Sequence, residues 1–204
     1  MATDDDLFER YRRGEAAAFA MLYERHKRVV FGYLLRVLGE RMRAEDVHQE
    51  TWLQVVQLAD RYRPGGAFKT WLFTLARSRC MDRLRRERVR AVESGADLAA
   101  LDGPSAAAAA NNPDHTVDAY SLVAGVAGPP EIRQQQELAE ILRRVIAKLP
   151  AAQREVFLLH DEADLSLVEV AAVLGIAYEA AKSRYRYALA RLRAELTASG
   201  LMDE

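Results

Sequence analysis

Residues 166–186 read Ser166-Leu-Val-Glu-Val-Ala-Ala-Val-Leu-Gly-Ile-Ala-Tyr-Glu-Ala-Ala-Lys-Ser-Arg-Tyr-Arg186, and this stretch decides how the end of the chain is built. Ser166 followed by Glu169 is a capping box, in which side chain and backbone at a helix start satisfy each other's free donors. The apolar run after it predicts a short helix. Gly175 ends that helix, because a left-handed turn is cheap only without a Cβ. Ala171 is small enough to let two helices approach, and Ile176 anchors the turn in a core. A second helix starts near Tyr178. Its residues Tyr178, Glu179, Lys182, Ser183 and Arg186 can face outward, with Arg184 on their flank. Short helix, tight turn and cationic second helix form a helix-turn-helix, whose second helix suits a major groove. Its cations fit phosphates or guanine edges. The alternative is a plain helical hairpin with a solvated basic face.

Upstream of this motif, Leu138, Ile141, Leu142, Val145, Ile146 and Leu149 repeat at three and four, which predicts a helix ended by Pro150. Gln153 to His160 is a further helix, and His160-Asp161-Glu162 marks its end. The last helix continues to about Leu196, giving a four-helix domain over residues 131–204. Before it, residues 94–130 carry Gly103-Pro104, five consecutive alanines, Asn111-Asn112-Pro113 and Gly128-Pro129-Pro130. Their charges are Asp97, Asp102, Asp114 and Asp118. This composition predicts a flexible acidic linker; Val117 to Val126 is mildly apolar and belongs to it.

Residues 1–93 predict a helical bundle. Leu7, Phe8 and Tyr11 open an amphipathic pattern, which Phe19, Leu22 and Tyr23 continue to a stop at Gly39. A new helix near Ala44 carries Val47, Trp52, Leu53 and Val56. Arg63-Pro64-Gly65-Gly66 breaks the chain, and a last helix holds Trp71, Leu72, Leu75, Met81 and Leu84. The fold class read from the sequence is therefore all-α: two small helical domains joined by a flexible linker.

Charge is unevenly spread. The net charge is −1, yet residues 61–90 hold ten basic side chains against two acidic ones, and residues 182–193 hold five and none. Two cationic zones flank an acidic spacer. The first zone mixes cations with aromatics: Arg63, Phe68, Lys69, Trp71, Arg77, Arg85 and Arg86, with Ser78 and Asp82 among them. Aromatic faces stack on bases and arginines hold a single strand's backbone; a glycine loop before them could shape a pocket for an unstacked base. A core aromatic stripe with a solvated arginine face is the competing reading. Trp71 and Phe73 cannot both point inward on one stripe, which favours a functional aromatic. Asp46, Gln49 and Glu50 form an acidic and amide face on the helix that carries Trp52, either a docking face or a solvated one.

Nothing points to catalysis. Glu45-x-x-His48 is half of a di-metal carboxylate pattern, which needs two such pairs. Glycine loops of the phosphate-binding kinds are missing, and Cys80 is the single cysteine, so no internal disulfide forms. The expectation is no enzyme, metal or cofactor. The acidic start MATDDDLFERY is unlike a signal peptide, and no apolar run approaches the ~18 residues of a membrane span. A soluble cytoplasmic protein is expected.

Taken in order, AEDVHQETWLQV, FKTWLFTLARSRCMDRLRR, a linker and LPAAQREVFLLHDEADLSLVEVAAVLGIAYEAAKSRYRYALARLRAEL resemble a bacterial sigma factor of the extracytoplasmic-function (ECF) group, which keeps only the second and fourth sigma domains. The resemblance covers residues 7–93 and 131–196. It implies that Asp46, Gln49, Glu50 and Trp52 lie on the motif that grips the β′ clamp helices of RNA polymerase. It implies that Arg77, Ser78, Asp82, Arg85 and Arg86 sit on the helix that reads the −10 promoter element, with residues 62–69 capturing a flipped base. The helix-turn-helix resembles the −35 reader, which also meets the β flap. Residues 1–93 would then be sigma domain 2 and 131–204 sigma domain 4, and an anti-sigma protein would be a further partner. Two departures stand out. Ser78 replaces an asparagine common in the family, and Ala180-Ala181 replaces Thr-Val before Lys182-Ser183, so −10 preference and −35 contacts are expected to differ. A stand-alone helix-turn-helix regulator, with the N-terminal bundle as sensor or dimerisation domain, and an enzyme with a helical metal site are the other readings of the residues.

Overall fold

The computed structural model describes residues 2–63, 68–93 and 139–198. The described residues contain helices and no strand, in two groups. In the first, α1 spans Asp4–Arg12, α2 Ala16–Leu38 and α3 Arg41–Gln57; a short 3-10 turn, Ala59–Arg61, follows, and then α4, Phe68–Glu93. The helix α1 begins with a full capping box between Thr3 and Asp6. Three aspartates in its first turn and arginines in its last oppose the helix dipole favourably. The predicted stop at Gly39 is a left-handed cap at φ 73°.

The second group holds α5 over residues 139–147, α6 Ala151–Phe157, α7 Leu167–Leu174 and α8 Tyr178–Ala198. A wider π turn, Leu158–Glu162, ends α6, with Ala163 N–H donating back to the Leu158 carbonyl at 3.0 Å. Buried Arg154 donates to the Ala147 carbonyl at 2.9 Å, supplying the exposed end of α5 with a partner.

The first core is built from Leu7 and Phe8 of α1, Leu22, Val30, Tyr33 and Leu34 of α2, Val47 and Val55 of α3, and Leu72, Phe73, Ala76 and Cys80 of α4. Phe8 is its aromatic hub, with ring centroids of Tyr62 and Phe68 at 4.9 Å and Trp71 at 5.4 Å. The second core uses Val156, Leu158, Leu159, Leu165, Val170, Val173, Ala188 and Leu192, and the two merge into one buried cluster.

The two expected helical groups are both present, and they also pack on each other. The helix α4 packs on α1, α2 and α3 and also on α7, while the π turn packs on α2. With neighbours from both groups, α4 buries more than one stripe. Trp71 and Phe73 are both covered by the first group itself: Trp71 beside Tyr62 at 5.0 Å, Phe73 edge-on to Tyr33 at 5.6 Å. The expectation that the two rings cannot both point inward is corrected by this packing. The predicted linker 94–130, with its segment 117–126, and Leu138 lie outside the described residues.

Candidate nucleic-acid interface

The turn before α8 is set by its sequence. Ser166 Oγ and the Glu169 side chain close the capping box of α7. Gly175 adopts φ 65°, and Ile176 N–H then donates to the Ala171 carbonyl at 3.0 Å, pulling the chain around. Ala181, Ala188 and Leu192 are the buried stripe of α8, and this fixes what lies on the other side. Tyr178, Glu179, Lys182 and Arg186 are exposed there, with Ser183 and Arg184 half-buried. The Arg186 guanidinium lies 5.3 Å from the Tyr187 ring. Tyr185 steadies the helix from its inner side, donating to Asp161 at 3.1 Å and meeting the His160 ring edge-on at 4.5 Å. Tyr178, Glu179, Lys182 and Arg186 thus share the exposed side of α8, with Ser183 and Arg184 at its half-buried margin.

The helix α4 is different. Phe68 is only 1% exposed and offers no ring face to a base, so its expected stacking role is not available in this arrangement. Trp71 is half-buried against Phe8, Tyr62 and Phe68. Lys69 Nζ donates to the Asp164 carbonyl at 2.8 Å, and Arg77 Nε to Glu155 at 2.8 Å, so both cations are engaged by the other helical group. Arg63, Ser78, Arg85 and Arg86 are exposed. Asp82 is half-buried, 3.8 Å from Arg85, and its carbonyl accepts from Arg86 at 3.3 Å. Of the loop 62–69, residues 64–67 lie outside the described residues.

On α3, Asp46 and Gln49 are exposed and Glu50 half-buried. Arg83 reaches Asp46 at 3.4 Å and Arg86 reaches Glu50 at 3.9 Å. Trp52 does not join that surface. It is buried among Phe19, Tyr23 and His48, and its indole N–H donates to His48 Nε2 at 3.0 Å, so it supports the face from beneath. Leu53 and Val56, by contrast, are 54% and 44% exposed beside the acidic side chains. Large apolar side chains ringed by charge mark a contact surface. The sequence carried the signal, since 46, 49, 53 and 56 share one helical face, but both residues read as core.

Family comparisons agree with this geometry. The profile described as Sigma-70 region 2 matches residues 22–90, and that of Sigma-70 region 4 matches residues 139–192. The ECF RNA polymerase sigma factor SigL of Mycobacterium tuberculosis is 32% identical over 92% of this chain and 93% of its own. The chain belongs to the ECF RNA polymerase sigma factors. Similar are the ECF sigma factor RpoE of Cereibacter sphaeroides, 35% identical over 90% of this chain and 88% of its own, and SigW of Bacillus subtilis, 27% identical over 91% and 92%. Two solved structures share the fold. CnrH in complex with the cytosolic domain of CnrY has a TM-score of 0.59, 22% identity, and covers 96% of this chain and 97% of that one. RpoE from Bartonella quintana in complex with the anti-sigma factor NepR has a TM-score of 0.65, 20% identity, and covers 88% and 96%. This sigma factor is thus a transcription initiation factor that works with RNA polymerase on promoter DNA.

Several ionisable groups of the sigma factor are tuned by burial. Desolvation, with the Glu155 carboxylate adding to it, pushes the Tyr33 hydroxyl well above its usual range. Burial likewise pushes the Cys80 thiol up to about 12, so it stays protonated and unreactive. Burial alone would raise Glu169, but hydrogen bonds from Ser166 and Thr70 and the nearby Lys69 charge outweigh it and hold the carboxyl low. Burial holds His48 below the ordinary imidazole range. Among the described residues no cluster of three His, Cys, Asp or Glu side chains is placed to hold a metal ion, and no helix is long and apolar enough to cross a membrane.

Proposed function

We propose that the sigma factor divides promoter recognition among three surfaces. Domain 4, residues 131–204, reads the −35 duplex with Tyr178, Glu179, Lys182, Ser183, Arg184 and Arg186. Domain 2, residues 1–93, captures the −10 strand with Arg63, Lys69, Trp71, Arg77, Ser78, Asp82, Arg85 and Arg86. Asp46, Gln49 and Glu50 dock on the β′ clamp helices, with Leu53 and Val56 as the apolar part of that contact and Trp52 as its support. Domain 4 also meets the β flap. The observation that carries this reading is the exposed cationic face of α8, set behind a capped, glycine-turned α7 within the stretch that the region 4 profile matches.

The physical logic is positional. Phosphate contacts fix register on the duplex, and base-edge contacts specify sequence. Capture of unstacked bases offsets the cost of unpairing at −10. No bond is made or broken by the sigma factor, so it is not an enzyme, needs no cofactor, and acts where polymerase and chromosome are, in the cytoplasm. Two of the solved relatives are held by the proteins named with them, CnrY and NepR, and an anti-sigma protein is the corresponding partner here.

The test is reconstitution. Purified sigma factor with core RNA polymerase should yield transcripts from a restricted set of genomic fragments whose start sites share two upstream elements. Unchanged, nonspecific transcription by the mixture would overturn the reading.

A further inference from the structure

The helix α1 lies outside residues 22–90, the stretch that the region 2 profile matches, yet three of its side chains reach residues 62–71 or their supports. Phe8 is fully buried, and its ring meets Tyr62 edge-on at 4.9 Å, Phe68 at 4.9 Å and Trp71 at 5.4 Å. Asp5 accepts from the Tyr62 hydroxyl, a bond that spans 57 residues of sequence. Asp4 lies 2.7 Å from His26 Nε2 and also pairs with Arg25, and the His26 ring stands 5.8 Å from Phe68. Tyr62 and Phe68 in turn pack on Trp71, at 5.0 Å and 6.1 Å. Edge-on and tilted aromatic pairs prefer particular angles, so each ring of such a cluster constrains the direction of its neighbours. Arg63 follows Tyr62 directly, and Trp71 sits one turn beyond Phe68 on α4. What fixes Tyr62 and Phe68 therefore fixes where Arg63 begins and how the half-buried Trp71 lies.

We propose that α1 is a positioning element for −10 capture, in which Phe8 and Asp5 hold Tyr62 and Phe68 and so aim Arg63 and Trp71 at the single strand. The proposal rests on the reading of Arg63 and Trp71 as −10 residues. Tyr62 is the informative side chain. A phenylalanine there would fill the aromatic cluster equally well, but the hydroxyl adds a directed bond to Asp5 that a ring contact lacks. With nine residues, α1 is too short to stand by itself as a helix in water, so its capping box and these contacts keep it in place. A strand-binding site whose cation and ring are already aimed gives up less conformational freedom when the strand arrives. The cations of α8 are positioned by their own buried stripe, Ala181, Ala188 and Leu192, so loss of aim at α1 weakens strand capture and spares −35 binding.

Holoenzyme reconstituted from core polymerase and the Y62F chain tests this, with F8L as a second variant. The probe is a fluorescein-labelled single strand carrying the non-template −10 segment of a promoter found by the reconstitution above, read by anisotropy. Both variants should bind it roughly threefold or more weakly than the wild type, while affinity for core and for a duplex carrying only the −35 element stays at the wild-type value. Circular dichroism of each free chain checks its fold, and Y62F, which keeps the ring, decides the matter if F8L does not fold. Wild-type strand affinity in Y62F overturns the proposal. So does an equal fall in strand, core and −35 affinity, the mark of a merely structural role. The R63A variant separates the proposal from the reading beneath it. Weaker strand binding by R63A with normal binding by Y62F leaves the −10 reading standing and overturns the positioning role. Strand binding as tight in R63A as in the wild type means that the −10 reading of Arg63 has failed, and the proposal falls with it.

Discussion

The helices α4 and α8 carry similar chemistry and meet very different surroundings. Both are long, 26 and 21 residues, and both are studded with arginine. On α8 a narrow buried stripe of Ala181, Ala188 and Leu192 leaves the cations to solvent. On α4 the aromatic side chains are drawn into the core by α1 and the 3-10 turn, and Lys69 and Arg77 are drawn to the carboxylates of the other group. A cationic helix that stands open presents its charges to any partner; one that is covered has already engaged part of them within its own chain. Composition alone does not distinguish the two.

The largest expected effect separates core from contact. Phe68→Ala should cost roughly 3–5 kcal/mol of folding stability, as for other buried phenylalanines, measured by urea denaturation of the full chain. Tyr178→Ala, on the open helix, should change stability by no more than about 0.5 kcal/mol. Near-equal values would erase the contrast drawn between the two helices. Next in size is DNA binding by the free protein. Arg186→Ala should weaken duplex binding by about three- to tenfold and reduce the salt slope by roughly one phosphate's worth, whereas Arg77→Ala should leave the free protein's duplex affinity unchanged. An Arg77→Ala variant that lost as much as Arg186→Ala would place both cations on open surfaces.

A third expectation concerns the cap that both surfaces share. Ser166→Ala removes the hydroxyl that holds Glu169 and caps α7, and should cost about 1 kcal/mol; a thermal melt indistinguishable from wild type would mean that the cap is dispensable. The smallest effect is pH-dependent. His48 Nε2 lies 3.0 Å from both the Trp52 indole nitrogen and the Lys27 carbonyl oxygen, and burial of the ring outweighs the Lys27 contact and disfavours its charged form. The folded pKa of His48 lies below the unfolded value of about 6.5. The unfolded chain therefore binds this proton more readily, and stability should fall as pH drops through that value toward the folded one. In His48→Gln this component of the slope between pH 8 and pH 5.5 should vanish; an unchanged slope would assign it to other groups.

Much of this arrangement was legible in the residues. The capping box at Ser166, the left-handed Gly175 and Gly39, and the outward cations of α8 follow from local rules that need no knowledge of neighbours. The acidic face of α3 was legible too, except that Trp52 and Leu53 exchange places: the ring is buried and the leucine is exposed. Periodicity names an apolar stripe but not which neighbour arrives to cover it. The same limit hid the contact between the two groups. Glu162 read as a helix end and Glu169 as a cap, and Glu155 and Asp164 carried no signal, because their partners lie 78 to 126 residues away in sequence, at Arg36, Thr70, Arg77 and Lys69. Only the charge imbalance of residues 61–90 hinted that something acidic must face them.

One lysine on each helix makes the contrast directly measurable. Lys182 is exposed on α8, while Lys69 is held between the Asp164 carbonyl and carboxylate. Brief acylation of the free protein, quantified by peptide mass and normalised to the unfolded chain, should modify Lys182 many times faster than Lys69. Equal rates at the two lysines in the free protein would contradict the account.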